Sequence, residues 1–147
     1  MGSPFRGDDA VGPAVAKRLR AIGALVLDCA DEPTRLLDVW EGLDPVVVVD
    51  AVRSGAAAGR LHRIDAGDGP LPRDLRLAST HAMGIADALE LARALGRAPR
   101  RVVVLGLEGS SFAMGEEMSP AVAAGIDGLV ASVIQEMGLE DSCTSAP

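Results

Sequence analysis

Two periods of apolar residues run along this chain. The stretch Pro45-Val46-Val47-Val48-Val49-Asp50-Ala51-Val52-Arg53-Ser54-Gly55 has four successive β-branched residues, stopped by a carboxylate and a glycine-bearing turn. A continuous apolar run of that length reads as a strand buried on both faces, with Asp50 at its C-terminal end. Arg101-Val102-Val103-Val104-Leu105-Gly106 repeats the pattern and is followed by Glu108. The strict alternation of Arg60-Leu61-His62-Arg63-Ile64 reads instead as a half-exposed edge strand, and Leu25-Val26-Leu27 as a short strand.

Between these runs the period lengthens to that of a helix. Val11, Val15 and Leu19 form one stripe, after the acids Asp8 and Asp9 and ending at Gly23; Leu36, Leu37, Trp40 and Leu43 form a second over residues 34–43. A third begins near Ala82 and carries Met83, Ile85, Ala86, Leu89, Ala92 and Leu95 as far as Gly96. Ser119-Pro120 marks a helix start, and Val122, Ile126, Leu129, Val130, Val133 and Met137 carry the last helix. Strands alternating with helices predict an α/β fold, a three-layer α/β/α sandwich around a mostly parallel twisted sheet. One domain is expected over residues 1–137; residues 138–147 lack periodicity and are expected to be a disordered tail. An α/β domain of this kind normally opens on an apolar strand feeding its first helix, and that first strand is missing from this chain.

Composition narrows the picture. The 147 residues are 48% hydrophobic but only 2% aromatic, so the core is aliphatic, and the formal charge of -7 disfavours a nucleic-acid partner. Cys29 and Cys143 have neither metal-ligand spacing nor a disulfide framework around them, which points to free thiols in a reducing cytoplasm. No apolar run approaches the ~20 residues of a membrane span, and residues 1–6 lack a signal peptide's apolar core. A soluble cytoplasmic protein without a membrane partner is expected.

Three predicted strand-to-helix junctions carry chemistry: Asp8 and Asp9 before the first helix, Asp50 after the valine strand, and His81 in Ser79-Thr80-His81. In a parallel sheet all three lie at the strands' C-terminal edge, where two carboxylates and an imidazole can converge on a borderline divalent cation. Each has a plainer reading: helix-start acids for Asp8 and Asp9, a turn cap for Asp50, a solvated residue for His81. His62 reads as exposed. The sequence has no Gly-x-Gly-x-x-Gly, no Gly-x-x-x-x-Gly-Lys-Ser/Thr and no Gly-x-Ser-x-Gly motif, which removes the usual marks of nucleotide binding and of serine hydrolysis.

These junctions, taken in order, resemble the hydrogenase maturation endopeptidases. The carriers are Gly2-Ser3-Pro4-Phe5-Arg6-Gly7-Asp8-Asp9-Ala10-Val11-Gly12, Val48-Val49-Asp50-Ala51, Ser79-Thr80-His81-Ala82-Met83-Gly84, Val104-Leu105-Gly106-Leu107-Glu108 and Met118-Ser119-Pro120-Ala121-Val122. Ser3 stands where the family usually has Asn; a hydroxyl can still hydrogen-bond the local backbone. The resemblance implies removal of a C-terminal extension from the large-subunit precursor of a nickel-iron hydrogenase after nickel insertion. It makes Asp9, Asp50 and His81 the metal trio, reading nickel carried by the substrate, with no further cofactor, no assigned catalytic nucleophile and a monomeric enzyme. The alternative is a non-catalytic nickel-centre binding or chaperone protein for hydrogenase assembly. The family's first strand has no counterpart in this sequence; a late start codon is the favoured explanation, ahead of a shortened chain or a decayed copy.

Overall fold

The computed structural model describes residues 1–29, 35–67, 69–72, 77–78 and 84–139. A 3₁₀ turn, Gly7–Ala10, runs directly into α1, Val11–Ala21; α2 is Arg35–Trp40, β1 Val46–Val52, β2 Leu61–Asp65, α3 Ile85–Ala94, β3 Val102–Glu108 and α4 Pro120–Met137. The sheet order is β1-β3-β2. β1 pairs parallel with β3, from Val46 opposite Val102 to Val52 opposite Glu108, and β2 pairs antiparallel with β3.

The period-2 alternation of β3 builds the layers. Val103, Leu105 and Leu107 pack with Val11, Val15 and Leu19 of α1 and Val122, Ile126 and Leu129 of α4. Val102 and Val104 face the other way, into a second cluster with Leu36 and Trp40 of α2 and Ile85, Leu89 and Ala92 of α3. Every residue of β3 is buried because helices cover both faces and strands flank both edges. Gly106 lets β1 come close: a Cβ there would lie 2.6 Å from the Asp50 carbonyl oxygen.

The three-layer α/β arrangement agrees with the sequence reading, with three differences of detail. The sheet is mixed rather than mostly parallel, because the alternating strand β2 joins it antiparallel, as an exposed edge. Leu25-Val26-Leu27 is not a strand; Leu25 and Leu27 are exposed and the segment has no ladder partner among the described residues. β3, not the valine strand, is central, so Val46, Val47 and Val49 are only half-buried. A groove of about 570 Å³ lies along that side of β1, between it and residues 25–29. α4 ends at Gly138 in a left-handed conformation; the expected disorder of the tail concerns residues 140–147, outside the described residues, as does Cys143.

Candidate functional site

The acid pair before α1 is buried, not solvated. Asp8 and Asp9 are 0% and 3% exposed, in the 3₁₀ turn that packs against β1. Two glycines permit the approach: Gly7, at φ +56°, would put a Cβ 2.6 Å from the Ser111 carbonyl oxygen, and a Cβ on Gly2, at φ +99°, would collide with the Asp9 backbone. The turn is fastened to the loop after β3 by hydrogen bonds from the Asp8 amide to the Ser111 carbonyl, 2.7 Å, and from the Gly7 amide to the Glu116 carbonyl, 3.0 Å.

The two acids have different surroundings. Asp8 accepts from the amides of Ser110, Ser111 and Ser119 at 2.7, 3.1 and 2.7 Å and from the hydroxyls of Ser110 and Ser119 at 3.3 and 3.0 Å. Ser119 is the N-cap of α4, yet its own hydroxyl caps nothing. Asp8 instead anchors that residue across the fold, accepting the Ser119 amide and hydroxyl, and places a carboxylate near the positive end of the helix. Burial pushes its carboxyl up, but the three amides and the Ser119 hydroxyl outweigh this and hold it below its ordinary value.

Asp9 Oδ2 accepts the Ser3 amide at 2.9 Å, while its Oδ1 is buried with no hydrogen-bond partner among the described residues. The Ser3 hydroxyl in turn accepts from the Phe5 amide at 3.4 Å, the local backbone contact expected of a residue standing in for Asn. A buried carboxylate oxygen left unpaired costs about 1–3 kcal/mol, and such groups are rare in native folds without a role. Asp50, fully buried at the C-terminal end of β1, holds the Ala51 amide at 2.9 Å through Oδ1. The Met1 amino group donates to the Val49 carbonyl at 2.7 Å, bringing residues 1–3, and with them Asp9, to that end of β1.

The structure therefore brings Asp9 and Asp50 to one sheet edge and gives Asp8 a structural task. His81 lies outside the described residues. Among the described residues no three His, Cys, Asp or Glu side chains form a group able to hold a metal ion, so any such site needs a ligand from elsewhere, as the expected trio does. Two oxygen donors at this edge suit a divalent cation of borderline or hard character.

Sequence reasoning missed one network. Glu108, 2% exposed, accepts the amides of Ser54 and Gly55 at 2.8 and 2.9 Å, the Ser54 hydroxyl at 2.8 Å and a bond with His62 Nε2 at 2.9 Å. His62 is thus a half-buried partner of Glu108 rather than a free surface residue. The signal was present in the sequence, since Glu108 follows an apolar strand much as Asp50 does. Burial pushes the Glu108 carboxyl up, but the Ser54, Gly55 and His62 bonds prevail and lower it.

A pH dependence follows from both depressed acids. Their ordinary values are 3.8 for Asp8 and 4.5 for Glu108, so their stabilisation is complete above about pH 5 and is lost as pH falls through the lower folded-state values. Urea unfolding midpoints should be flat from pH 7 to about 5 and fall below that. Glu108→Gln should reduce the slope, and an unchanged slope would contradict its depressed carboxyl.

Comparison with known proteins sets this geometry in context. Residues 13–136 match the family model described as hydrogenase maturation protease. The chain is 27% identical over 143 residues to the hydrogenase expression/formation protein HupD of Rhodobacter capsulatus, covering 93% of this chain and 68% of that protein. The HupD of Bradyrhizobium diazoefficiens is 29% identical over 127 residues, 83% of this chain and 66% of its own length, so the chain spans about two thirds of these relatives. Among solved structures, the [NiFe] hydrogenase maturation protease HybD from Thermococcus kodakarensis superposes with a TM-score of 0.76 at 26% identity, covering 92% of this chain and 93% of that one. The hydrogenase maturating endopeptidase HybD from E. coli gives a TM-score of 0.77 at 20% identity, over 95% and 90% of the two chains, a likeness of fold alone.

Proposed function

This chain belongs to the hydrogenase maturation protease family, and from that premise we propose that it removes the C-terminal extension of a nickel-iron hydrogenase large-subunit precursor once nickel has been inserted. The observation that carries the reading is Asp9 Oδ1, a buried carboxylate oxygen without a partner among the described residues, at the edge that also carries Asp50. A cation brought by the substrate would supply the missing partner. Asp9 and Asp50, with His81, then give two carboxylates and an imidazole to nickel that belongs to the precursor, and cleavage follows only when that nickel is present.

The chemistry is amide hydrolysis: water adds to the scissile carbonyl carbon, the C–N bond breaks, and the new amine takes a proton. Docking through the nickel fixes the scissile bond relative to the acids, and such fixed geometry is a large part of catalysis. We place the step in the cytoplasm and assign it to the monomer. Among the described residues no helix is long and apolar enough to cross a membrane, and Cys29 is a free, buried thiol.

Incubating the protein with nickel-loaded and nickel-free precursor, and weighing the product by mass spectrometry, tests the reading. Loss of the C-terminal extension from the loaded precursor alone is expected. Precursor bound but released at full length would instead make this an assembly chaperone, and equal cutting of both forms would remove nickel from the recognition step.

A further inference from the structure

We infer, on the footing of the proposed processing activity, that Arg53 is a substrate-binding residue, a fixed guanidinium that takes a carboxylate of the precursor's C-terminal extension. Arg53 is the first residue after β1, three positions beyond Asp50, and it is exposed. Its Cζ lies 4.3 Å from the centroid of the Phe112 ring, and it forms no ion pair among the described residues. Stacking on an aromatic ring occupies one face of the guanidinium plane. The edge, with its N–H donors in a rigid fork, stays open to a carboxylate.

Both halves of this pair are held by buried acids outside the proposed metal trio. Glu108 accepts the amides of Ser54 and Gly55 at 2.8 and 2.9 Å and the Ser54 hydroxyl at 2.8 Å, which fixes the turn that follows Arg53. Before Arg53, the Val52 carbonyl accepts the Gly109 amide at 2.9 Å. Asp8 accepts the amides of Ser110 and Ser111 and so fixes the loop that presents Phe112. Gly109 makes room for the ring: a Cβ there would lie 2.4 Å from Phe112 Cζ and 3.0 Å from Asp8 Cβ.

An exposed arginine on an unanchored turn would lose rotamer freedom when it bound a partner. Here Glu108 orders the turn and Phe112 the side chain, so that loss is met in the free protein and binding is pre-organised. Charge selects the ligand. The chain carries a formal charge of -7, so an acidic segment is disfavoured over the surface at large and is favoured at a cation set beside the proposed site. The carboxylate has two sources, an Asp or Glu side chain of the extension or its terminal carboxylate.

Processing of nickel-loaded precursor is measured with the wild type, Arg53→Gln and Arg53→Lys, and Tm is taken on the same preparations. Arg53→Gln should raise KM by about 10-fold or more, with kcat changed less than about 3-fold and Tm by less than about 2 °C. Arg53→Lys keeps the charge without the fork and should fall between. Two altered precursors locate the carboxylate. One has the Asp and Glu residues of its extension replaced by Asn and Gln, and the other has its C-terminus carried outward by added Gly and Ser residues. The alteration that removes the bound carboxylate should raise KM for the wild type and leave it unchanged for Arg53→Gln. An unchanged KM in Arg53→Gln would overturn the inference, as would altered precursors that affect the wild type and the variant equally. If the wild type binds the precursor without cutting it, the processing activity fails and the same comparison is made on Kd. If it neither binds nor cuts, both fall.

Discussion

Asp9→Asn is expected to abolish precursor processing while leaving the fold as stable as before, within about 1 kcal/mol. Loss of a charged ligand to the substrate's cation should lower the processing rate by about 100-fold or more, equivalent to about 3 kcal/mol of transition-state stabilisation. The folded state loses little, because Asn still offers an oxygen to the Ser3 amide, and Oδ1 makes no hydrogen bond among the described residues that Asn must replace. Rate and Tm, measured on the same preparation, check this together. A fall in Tm as large as the fall in rate would make Asp9 a structural residue.

Asp8→Ala is expected to do the reverse in emphasis. It strips five hydrogen bonds from a fully buried carboxylate and orphans donors on Ser110, Ser111 and Ser119, the last at the start of α4. Breaking such a charged buried network costs about 3–5 kcal/mol, a large part of the 5–15 kcal/mol that holds a domain of this size. Urea unfolding should show the loss. Asp8→Asn keeps one acceptor oxygen and should lose less. On these two expectations the adjacent acids of one motif divide their work, Asp8 holding the fold and Asp9 serving the proposed reading of the substrate.

That separation was not legible in Asp8-Asp9 as a sequence. Both residues read equally well as helix-start acids, and only the approach of the loop after β3, 100 residues further along, distinguishes them. The strands at Val46 and Val102 were legible because unbroken β-branched runs have few other readings. Leu25-Val26-Leu27 is likewise apolar but has a single β-branched residue, and it has no ladder partner among the described residues. Neighbours that the local sequence does not name decided the outcome in each case.

The place of Asp50 at the end of β1 was legible in the sequence, and the structure buries it there, near the segment that holds Asp9; its part in a metal site is the proposal. His62 owes its surroundings to a neighbouring strand. An alternating strand correctly predicted an edge, but the side chain that seemed free is held by Glu108, the acid closing the neighbouring strand. Cross-strand partners are set by register, and register appears only once β2 has paired with β3.

The central claim is that the sheet edge carrying Asp9 and Asp50 reads a metal ion borne by the substrate before the peptide bond is cut. The most direct test is the mass of the large-subunit product after incubation of nickel-loaded precursor with the wild-type protein and with Asp9→Asn. The account predicts a shortened product with the wild type and a full-length one with the variant. A shortened product from both, at similar rates, would contradict it.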